Sequence, residues 1–102
     1  MDLKRFKEAK SVLRKVVPVA RRVLGEGNRL TLKMRTLYAV VLYDNPAAML
    51  EDLREAVTTL EDVTRIARRV LGTAHPLTTA IERDLRFAQA ALRARETPST
   101  RA

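Results

Sequence analysis

The sequence predicts a small all-α domain built from a tandem helix-turn-helix repeat with about four helices. Three observations support this prediction: few helix-breaking residues, apolar residues at helical spacing, and an internal repeat of fixed period. The 102 residues include three glycines, four prolines and no cysteine, a composition that favours long helices over a many-stranded β fold. We expect residues 1–96 to form one domain and residues 97–102 a disordered tail.

The internal repeat has an offset of 47 residues. Residues 20–25, Ala-Arg-Arg-Val-Leu-Gly, return unchanged as residues 67–72. Two further matches have the same offset: residues 8–13 with residues 55–60, and residues 30–31 with residues 77–78. Self-similarity at a fixed period is typical of stacked supersecondary units, each of which buries its apolar face against a neighbour.

Capping residues place the four helices near residues 3–24, 29–43, 46–71 and 76–95. A side chain that can accept a backbone hydrogen bond precedes each helix, and these residues are Asp2, Asn28, Asn45 and His75. Pro46 and Pro76 suit the first turn of a helix, and a glycine follows the first and third helices. Residues 37–42 are apolar all round, which indicates a helix flanked on several sides, with a buried strand as the alternative.

Apolar residues at three-and-four spacing mark the face of each helix that we expect to be buried. On helix 1 they are Leu3, Phe6, Ala9, Leu13, Val16, Ala20 and Val23. On helix 3 they are Leu50, Leu53, Val57, Leu60, Val63, Ala67, Val70 and Leu71, and on helix 4 they are Leu77, Ile81, Leu85, Ala88 and Leu92. Glu61 with Arg65 and Glu82 with Arg86 have the spacing of exposed helical ion pairs.

The formal net charge of +8 is concentrated at the start of the chain, where residues 1–24 contain eight Lys or Arg against Asp2 and Glu8. A basic surface attracts nucleic acid, anionic surfaces or acidic protein segments, and it also serves solubility. Phe6 is the only aromatic residue among these bases, which disfavours stacking on nucleic-acid bases. No apolar run is long enough to span a membrane. The absence of a signal sequence, a span and cysteine favours a cytoplasmic location.

No arrangement of residues predicts catalysis, a metal site or a cofactor. The sequence contains no phosphate-binding glycine loop and no nucleophile elbow, so we expect no enzyme activity. His75 is the only histidine, and a capping role explains it. Glu51, Asp52 and Glu55 lie close together, where carboxylates either bind a hard cation or oppose the positive end of the helix dipole.

The motifs at the helix ends indicate a family. Residues 69–72 (Arg-Val-Leu-Gly), followed by residues 75–78 (His-Pro-Leu-Thr), resemble the tetratricopeptide repeat of the kinesin light chain type. In that family helix B ends in Arg-Val-Leu-Gly, and His-Pro-x-Thr opens the next helix A. The resemblance covers about residues 8–92 and implies an α-solenoid fragment with the helix order B-A-B-A. Residues 28–29 (Asn-Arg) replace His-Pro in the first copy, and the repeat is longer than usual, with the extra residues around 44–50.

The family also has a characteristic small residue where helix A touches helix B. Ala39 fills this place in helix 2, whereas Arg86 stands there in helix 4. The resemblance therefore implies that helix 4 is a terminal cap whose Arg86 faces water.

The resemblance implies a non-catalytic role in protein–protein interaction, in which the A helices hold a peptide or protein segment. The implied groove residues are Lys33, Thr36, Val40 and Tyr43 in helix 2, and Ala80, Arg83 and Phe87 in helix 4. The alternative is that Val40, Tyr43 and Phe87 belong to the core of a closed four-helix arrangement.

Two further sets of residues are candidate surfaces. The first is a basic clamp for an acidic segment or phosphates, formed by arginines that recur at equal repeat positions, unless they only stabilise the ends of their helices. These arginines are Arg21, Arg22, Arg68 and Arg69. The second is a self-association face, because Val12, Val17 and Val19 lie off the stripe of helix 1 and would be exposed in a monomer. Pairing of two such faces predicts a homodimer.

Overall fold

Four helices make up most of residues 2–97, the part of the chain that the computed structural model describes. They are α1 (Leu3–Leu24), α2 (Arg29–Tyr43), α3 (Leu50–Leu71) and α4 (Pro76–Glu96). No β-strand occurs within residues 2–97, so the apolar segment 37–42 is helical and the all-α prediction is confirmed. None of the four helices is long and apolar enough to cross a membrane. Of the predicted tail, residues 98–102 lie outside the described part.

Three of the four predicted capping side chains cap helices. The backbone N–H of Arg5 donates to the Asp2 carboxylate at 2.9 Å, which caps α1. The N–H of Leu30 donates to Asn28 Oδ1 at 2.8 Å at the start of α2. The N–H of Leu77 donates to Nδ1 of His75 at 3.0 Å at the start of α4. The only histidine therefore has a structural role, as predicted.

The predicted start of the third helix is wrong. α3 begins at Leu50 rather than at residue 46. Asn45 still organises a turn, because its Oδ1 accepts a backbone N–H two residues on at 2.8 Å and its carbonyl accepts that of Ala48 at 2.9 Å. The carbonyl of Ala48 also accepts a hydrogen bond of 2.5 Å from Arg95, near the end of α4. These hydrogen bonds satisfy polar groups of the loop. As expected, the extra residues of the repeat form this loop.

Each helix packs against the next one in the chain, and α2 also contacts α4. The two repeat copies join helix B to the following helix A in the same way. Thr31 Oγ1 donates to the carbonyl of Ala20 at 3.3 Å, and Thr78 Oγ1 donates to the carbonyl of Ala67 at 3.4 Å. The tandem helical repeat is therefore confirmed, and α2 and α4, the helices that the resemblance names A, are neighbours.

The core lies between these layers. Side chains that are almost completely inaccessible include Leu32, Leu42, Leu60, Val63 and Ile81. Ala39 is fully buried, as expected for the small residue of helix A, and Arg86 at the equal position of α4 is exposed.

The predicted stripe of α1 is only partly correct. Its buried members are Phe6, Leu13 and Ala20, whereas Leu3, Val16 and Val23 are exposed. The prediction for Val17 is also wrong, because this residue is half-buried and packs against the core. The backbone of α1 packs only against that of α2, and α1 reaches α3 through side-chain ion pairs such as Lys10–Asp52, so just one side of it is covered within the described chain.

The buried face of α3 is wider than the predicted stripe. Ala56, Thr64 and Ile66 are buried in addition to the stripe residues, whereas Val70 is exposed. The reason is that α3 lies between α2 and α4 and packs against both of them. In α4, Ile81 and Ala88 are fully buried, and the other predicted stripe residues are half-buried against the core: Leu77, Leu85 and Leu92.

Candidate protein-binding surfaces

The predicted groove residues lie on one side of α2 and α4, and we call this surface the α2–α4 face. Its members are Lys33, Thr36, Val40, Tyr43, Ala80, Arg83 and Phe87. The spacing of three and four residues places them on one face of each helix, and the two helices contact each other. Phe87 is 54% exposed, so the alternative of a closed core does not hold for it. Val40 and Tyr43 are half-buried.

Tyr43 joins the two helices of this face. Its hydroxyl donates to Oδ1 of Asp84 in α4 at 3.1 Å. Burial raises the pKa of Tyr43 above its ordinary value of 10.0, and the charges of Asp84 and Asp44 raise it further, while Arg83 opposes them. The hydroxyl is therefore neutral, and its hydrogen bond to Asp84 holds the Tyr43 side chain in position on the face.

The rim of the α2–α4 face carries charges of both signs. Lys33 and Arg83 are exposed, and Asp44 and Asp84 lie near the Tyr43 hydroxyl. The hydroxyl of Thr36 turns back to donate to the carbonyl of Leu32 at 2.7 Å. The face thus combines the exposed aromatic ring of Phe87 with the exposed bases Lys33 and Arg83, while Asp84 is engaged by the Tyr43 hydroxyl. This combination suits an apolar segment with acidic neighbours.

The four arginines of the predicted clamp lie in two separate surface depressions. Arg21 and Arg22 line one together with Glu26, and Arg68 and Arg69 line the other at the end of α3, beside Leu85. One member of each pair is neutralised, since Arg21 lies 2.8 Å from Glu26 and Arg68 lies 2.6 Å from Glu82. Arg22 and Arg69 are exposed. In each depression one of the two predicted arginines is paired with a carboxylate, so the net positive charge of the pair is half of what the sequence suggests.

The predicted self-association face consists partly of other residues in the structure. Val12 and Val19 are exposed as expected, whereas Val17 is not part of the face because it packs against the core. Val16 and Val23, members of the predicted buried stripe, are also exposed and stand at helical spacing from Val12 and Val19. The exposed residues Val12, Val16, Val19 and Val23 follow each other at helical spacing, and we call them the α1 valine stripe.

Ion pairs between different helices could not be read from the sequence. Arg14 Nε donates to the Tyr38 hydroxyl at 2.9 Å, and this hydroxyl donates to Glu55 at 2.6 Å, so one residue from each of α1, α2 and α3 joins the network. Burial raises the pKa of Tyr38, and the hydrogen bond to Glu55 adds to this effect. No local spacing signals such a contact, because its members are separated by 17 and 24 residues.

A buried ion pair connects α2 and α3. Arg35 is only 6% exposed, and its guanidinium lies 2.8 Å from a carboxylate oxygen of Asp62. Charge rather than an aligned hydrogen bond holds this pair together. The two predicted pairs within helices are wrong, because Arg65 pairs with Asp62 and Glu82 pairs with Arg68.

Two members of the acidic cluster at the start of α3, Asp52 and Glu55, are engaged with other residues. Asp52 lies 2.9 Å from Lys10 Nζ, and it accepts the backbone N–H of Met49. Glu55 accepts the Tyr38 hydroxyl. Among residues 2–97, the side chains do not form a group of three or more that could hold a metal ion.

Comparison with known proteins agrees with the architecture. The family model of the tetratricopeptide repeat matches two segments, residues 1–29 and residues 47–77, which together make up more than half of the chain. Each segment contains a helix B and the loop that leads into the next helix A. No curated protein and no solved structure matches the chain. The chain therefore belongs to the tetratricopeptide repeat family, and its helix-end motifs are those of the kinesin light chain type.

Proposed function

We propose that this chain is a non-catalytic protein–protein interaction module that holds a peptide or protein segment on its α2–α4 face. Tetratricopeptide repeats generally mediate protein–protein interaction. The single observation that carries the proposal is Phe87, a large apolar side chain that is 54% exposed on α4, the helix that Tyr43 joins to α2 through Asp84. Aromatic side chains of this kind are common anchors of protein interfaces.

The chemistry of the face defines the ligand that it would take. Phe87 and Val40 favour an apolar side chain, because its burial removes apolar area from water. Lys33 and Arg83 favour carboxylates on either side of it. We therefore expect a short segment with an apolar anchor flanked by Asp or Glu.

A selection from a displayed library of random peptides tests this function. Peptides selected on the natural chain should contain the apolar anchor with acidic neighbours, and Phe87→Asp should weaken their binding by about tenfold or more. Val70→Asp is the matched control, because Val70 is similarly exposed but lies in α3, outside the α2–α4 face. Equal loss of affinity in both variants, or none in Phe87→Asp, would place the binding surface elsewhere.

Self-association through the α1 valine stripe is the alternative that the sequence raises, although the basic charge of α1 opposes it. Two-fold pairing would cover the same patch on both copies. Because eight bases lie within residues 1–24, such a dimer should tighten as salt screens their repulsion. Light scattering at about 50 and 500 mM salt measures this directly. A monomer at both salt concentrations would end this candidate function.

Binding of nucleic acid is disfavoured by the contacts of α1. Three of its basic residues, Lys10, Arg14 and Arg21, already pair with carboxylates. Phe6, the one aromatic residue among them, is buried and cannot stack on bases.

A further inference from the structure

Within residues 2–97, no other helix covers the side of α1 that carries the valine stripe. The repeat offset of 47 residues makes Val63 of α3 the counterpart of Val16, and Ile66 the counterpart of Val19. Val63 and Ile66 are 0% and 7% exposed, whereas Val16 and Val19 are 38% and 45% exposed. These two positions of the repeat are thus buried in one copy and open in the other, whereas Val23 and its counterpart Val70 are both exposed.

The repeat also shows what covers this face in α3. α1 packs against α2 as α3 packs against α4, through the equal contacts of Thr31 and Thr78. The additional partner of α3 is α2, so α2 is the helix that buries Val63 and Ile66. The α1 valine stripe therefore has the shape and spacing to receive a helix that packs as α2 does.

The helix that carries the open face is strongly basic, whereas the helix that carries the covered face is nearly neutral. α3 contains five acidic and four basic residues, whereas α1 contains one acidic and eight basic residues. Three acids of α3 have basic counterparts in α1: Lys4 for Glu51, Arg5 for Asp52 and Lys15 for Asp62. Asp62 pairs with Arg35 of α2 at 2.8 Å. A helix that packs on α1 in the same way would meet Lys15 at this point and would need a carboxylate there.

We propose that the α1 valine stripe binds an amphipathic helix of a separate protein, with an apolar face like that of α2 and acidic residues along its rim. This surface is distinct from the α2–α4 face and does not depend on the function proposed for it.

A second copy of the chain fits the stripe poorly in either arrangement. Pairing of α1 with α1 would bring two strongly basic helices together. Stacking of α4 on α1 of another copy would use Thr79, Arg86 and Gln89, which stand where α2 has Leu32, Ala39 and Leu42. Arg86 would occupy the place that the repeat gives to a small residue. The α4 end of the molecule is therefore polar and closed, whereas the α1 end is apolar and open.

A synthetic peptide with the sequence of residues 28–44 provides the probe. Substitution of glutamate for Arg29, Lys33 and Arg35 gives the acidic form, and the unchanged peptide is the matched control. We expect fluorescence anisotropy to show binding of the acidic form, with about tenfold or greater weakening for the unchanged peptide. The affinity for the acidic form should fall as salt is raised.

Variants of the chain locate the site. Val16→Asp combined with Val19→Asp should weaken binding of the acidic peptide by about tenfold or more, whereas Leu30→Asp should leave it unchanged. Lys15→Glu should reverse the charge preference of the chain at the peptide position of Arg35. This variant should bind a peptide that retains Arg35 about two- to fivefold more tightly than a peptide with glutamate at that position, the usual range for an exposed pair. Circular dichroism confirms that each variant is folded, and Lys15→Glu keeps the test valid should the valine variant unfold.

Three results would overturn the proposal. The first is no binding of the acidic peptide up to about 500 µM, which is weaker than most specific interactions. The second is equal binding by the natural chain and the valine variant. The third is a dimer in light scattering that the valine variant dissociates, because a second copy would then cover the stripe.

Discussion

Leu60 and Leu13 hold equal positions in the repeat but are not equally enclosed. Leu60 is completely buried, whereas Leu13 retains slight exposure because α1 is covered on one side only. We expect Leu60→Ala and Leu13→Ala each to lower the free energy of unfolding by about 2–5 kcal/mol, with the larger loss at Leu60. Denaturant unfolding measures both. A loss below about 1 kcal/mol at either site would show that its side chain does not contribute to the core as described.

Asp52 gives the stability of the protein a dependence on acid. Burial acts to raise the pKa of Asp52, but the hydrogen bond from Lys10, the N–H of Met49 and the charge of Lys10 together lower it below its ordinary value of 3.8. A carboxylate with a lowered pKa in the folded state stabilises the fold above its unfolded pKa, and this contribution is lost as the pH falls through the folded value.

The matched variant for this effect is Asp52→Asn. We expect it to be less stable than the natural chain at about pH 6, with the difference shrinking as the pH falls below about 3.8. Urea unfolding at several pH values tests this. A difference that stays constant across the range would mean that the ion pair with Lys10 contributes nothing to stability.

At the scale of single residues, the sequence predicted what depends on local spacing. The capping roles of Asn28 and His75 follow from their positions before a helix. The partners of Arg65 and Glu82 could not be predicted, because spacing within a helix offers several partners and tertiary packing selects among them. Glu82 pairs with Arg68 of the neighbouring helix instead of Arg86.

At the scale of elements, the ends of the B helices depend on glycine. Gly25 and Gly72 have φ of +95° and +93° with ψ near 157°, a region that other residues rarely adopt. A Cβ at either position would meet no atom within 4 Å. We therefore expect Gly72→Ala to cost about 1–3 kcal/mol from backbone strain alone.

Gly27→Ala is the control for this effect. Its added Cβ would lie 3.1 Å from a methyl group of Val70, an exposed side chain that can shift. Ala74, the counterpart of Gly27 in the second copy, already carries this methyl group. Thermal unfolding should show a smaller loss for Gly27→Ala than for Gly72→Ala, and the reverse order would show that crowding rather than φ decides the cost.

The start of α3 shows the limit of prediction for elements. The Asn-Pro pair is a good signal for a helix start, yet the same Asn45 side chain also caps an isolated turn. The long-range bond from Arg95 to the carbonyl of Ala48 stabilises the loop that follows this turn. A contact across 47 residues cannot be inferred from local sequence.

At the scale of the whole molecule, the two ends differ although the repeat is the same. The sequence predicted the repeat, the helix order and the polar cap at Arg86. It predicted the exposure of Val12 and Val19 in α1 but not that of Val16 and Val23, because the spacing of apolar residues is the same whether one or two helices cover them. The exposure of Val16 and the burial of Val63 follow from the number of neighbouring helices.

For the whole molecule, we propose above all that it binds protein segments through the α2–α4 face. The most direct measurement is a titration of the ¹⁵N-labelled chain with a peptide from the display selection, followed by NMR chemical shifts. We predict that the largest shifts lie within residues 33–43 and 80–87, with Phe87 among them, and that α3 changes little. Shifts that concentrate in α1, or that spread evenly over all four helices, would contradict the claim.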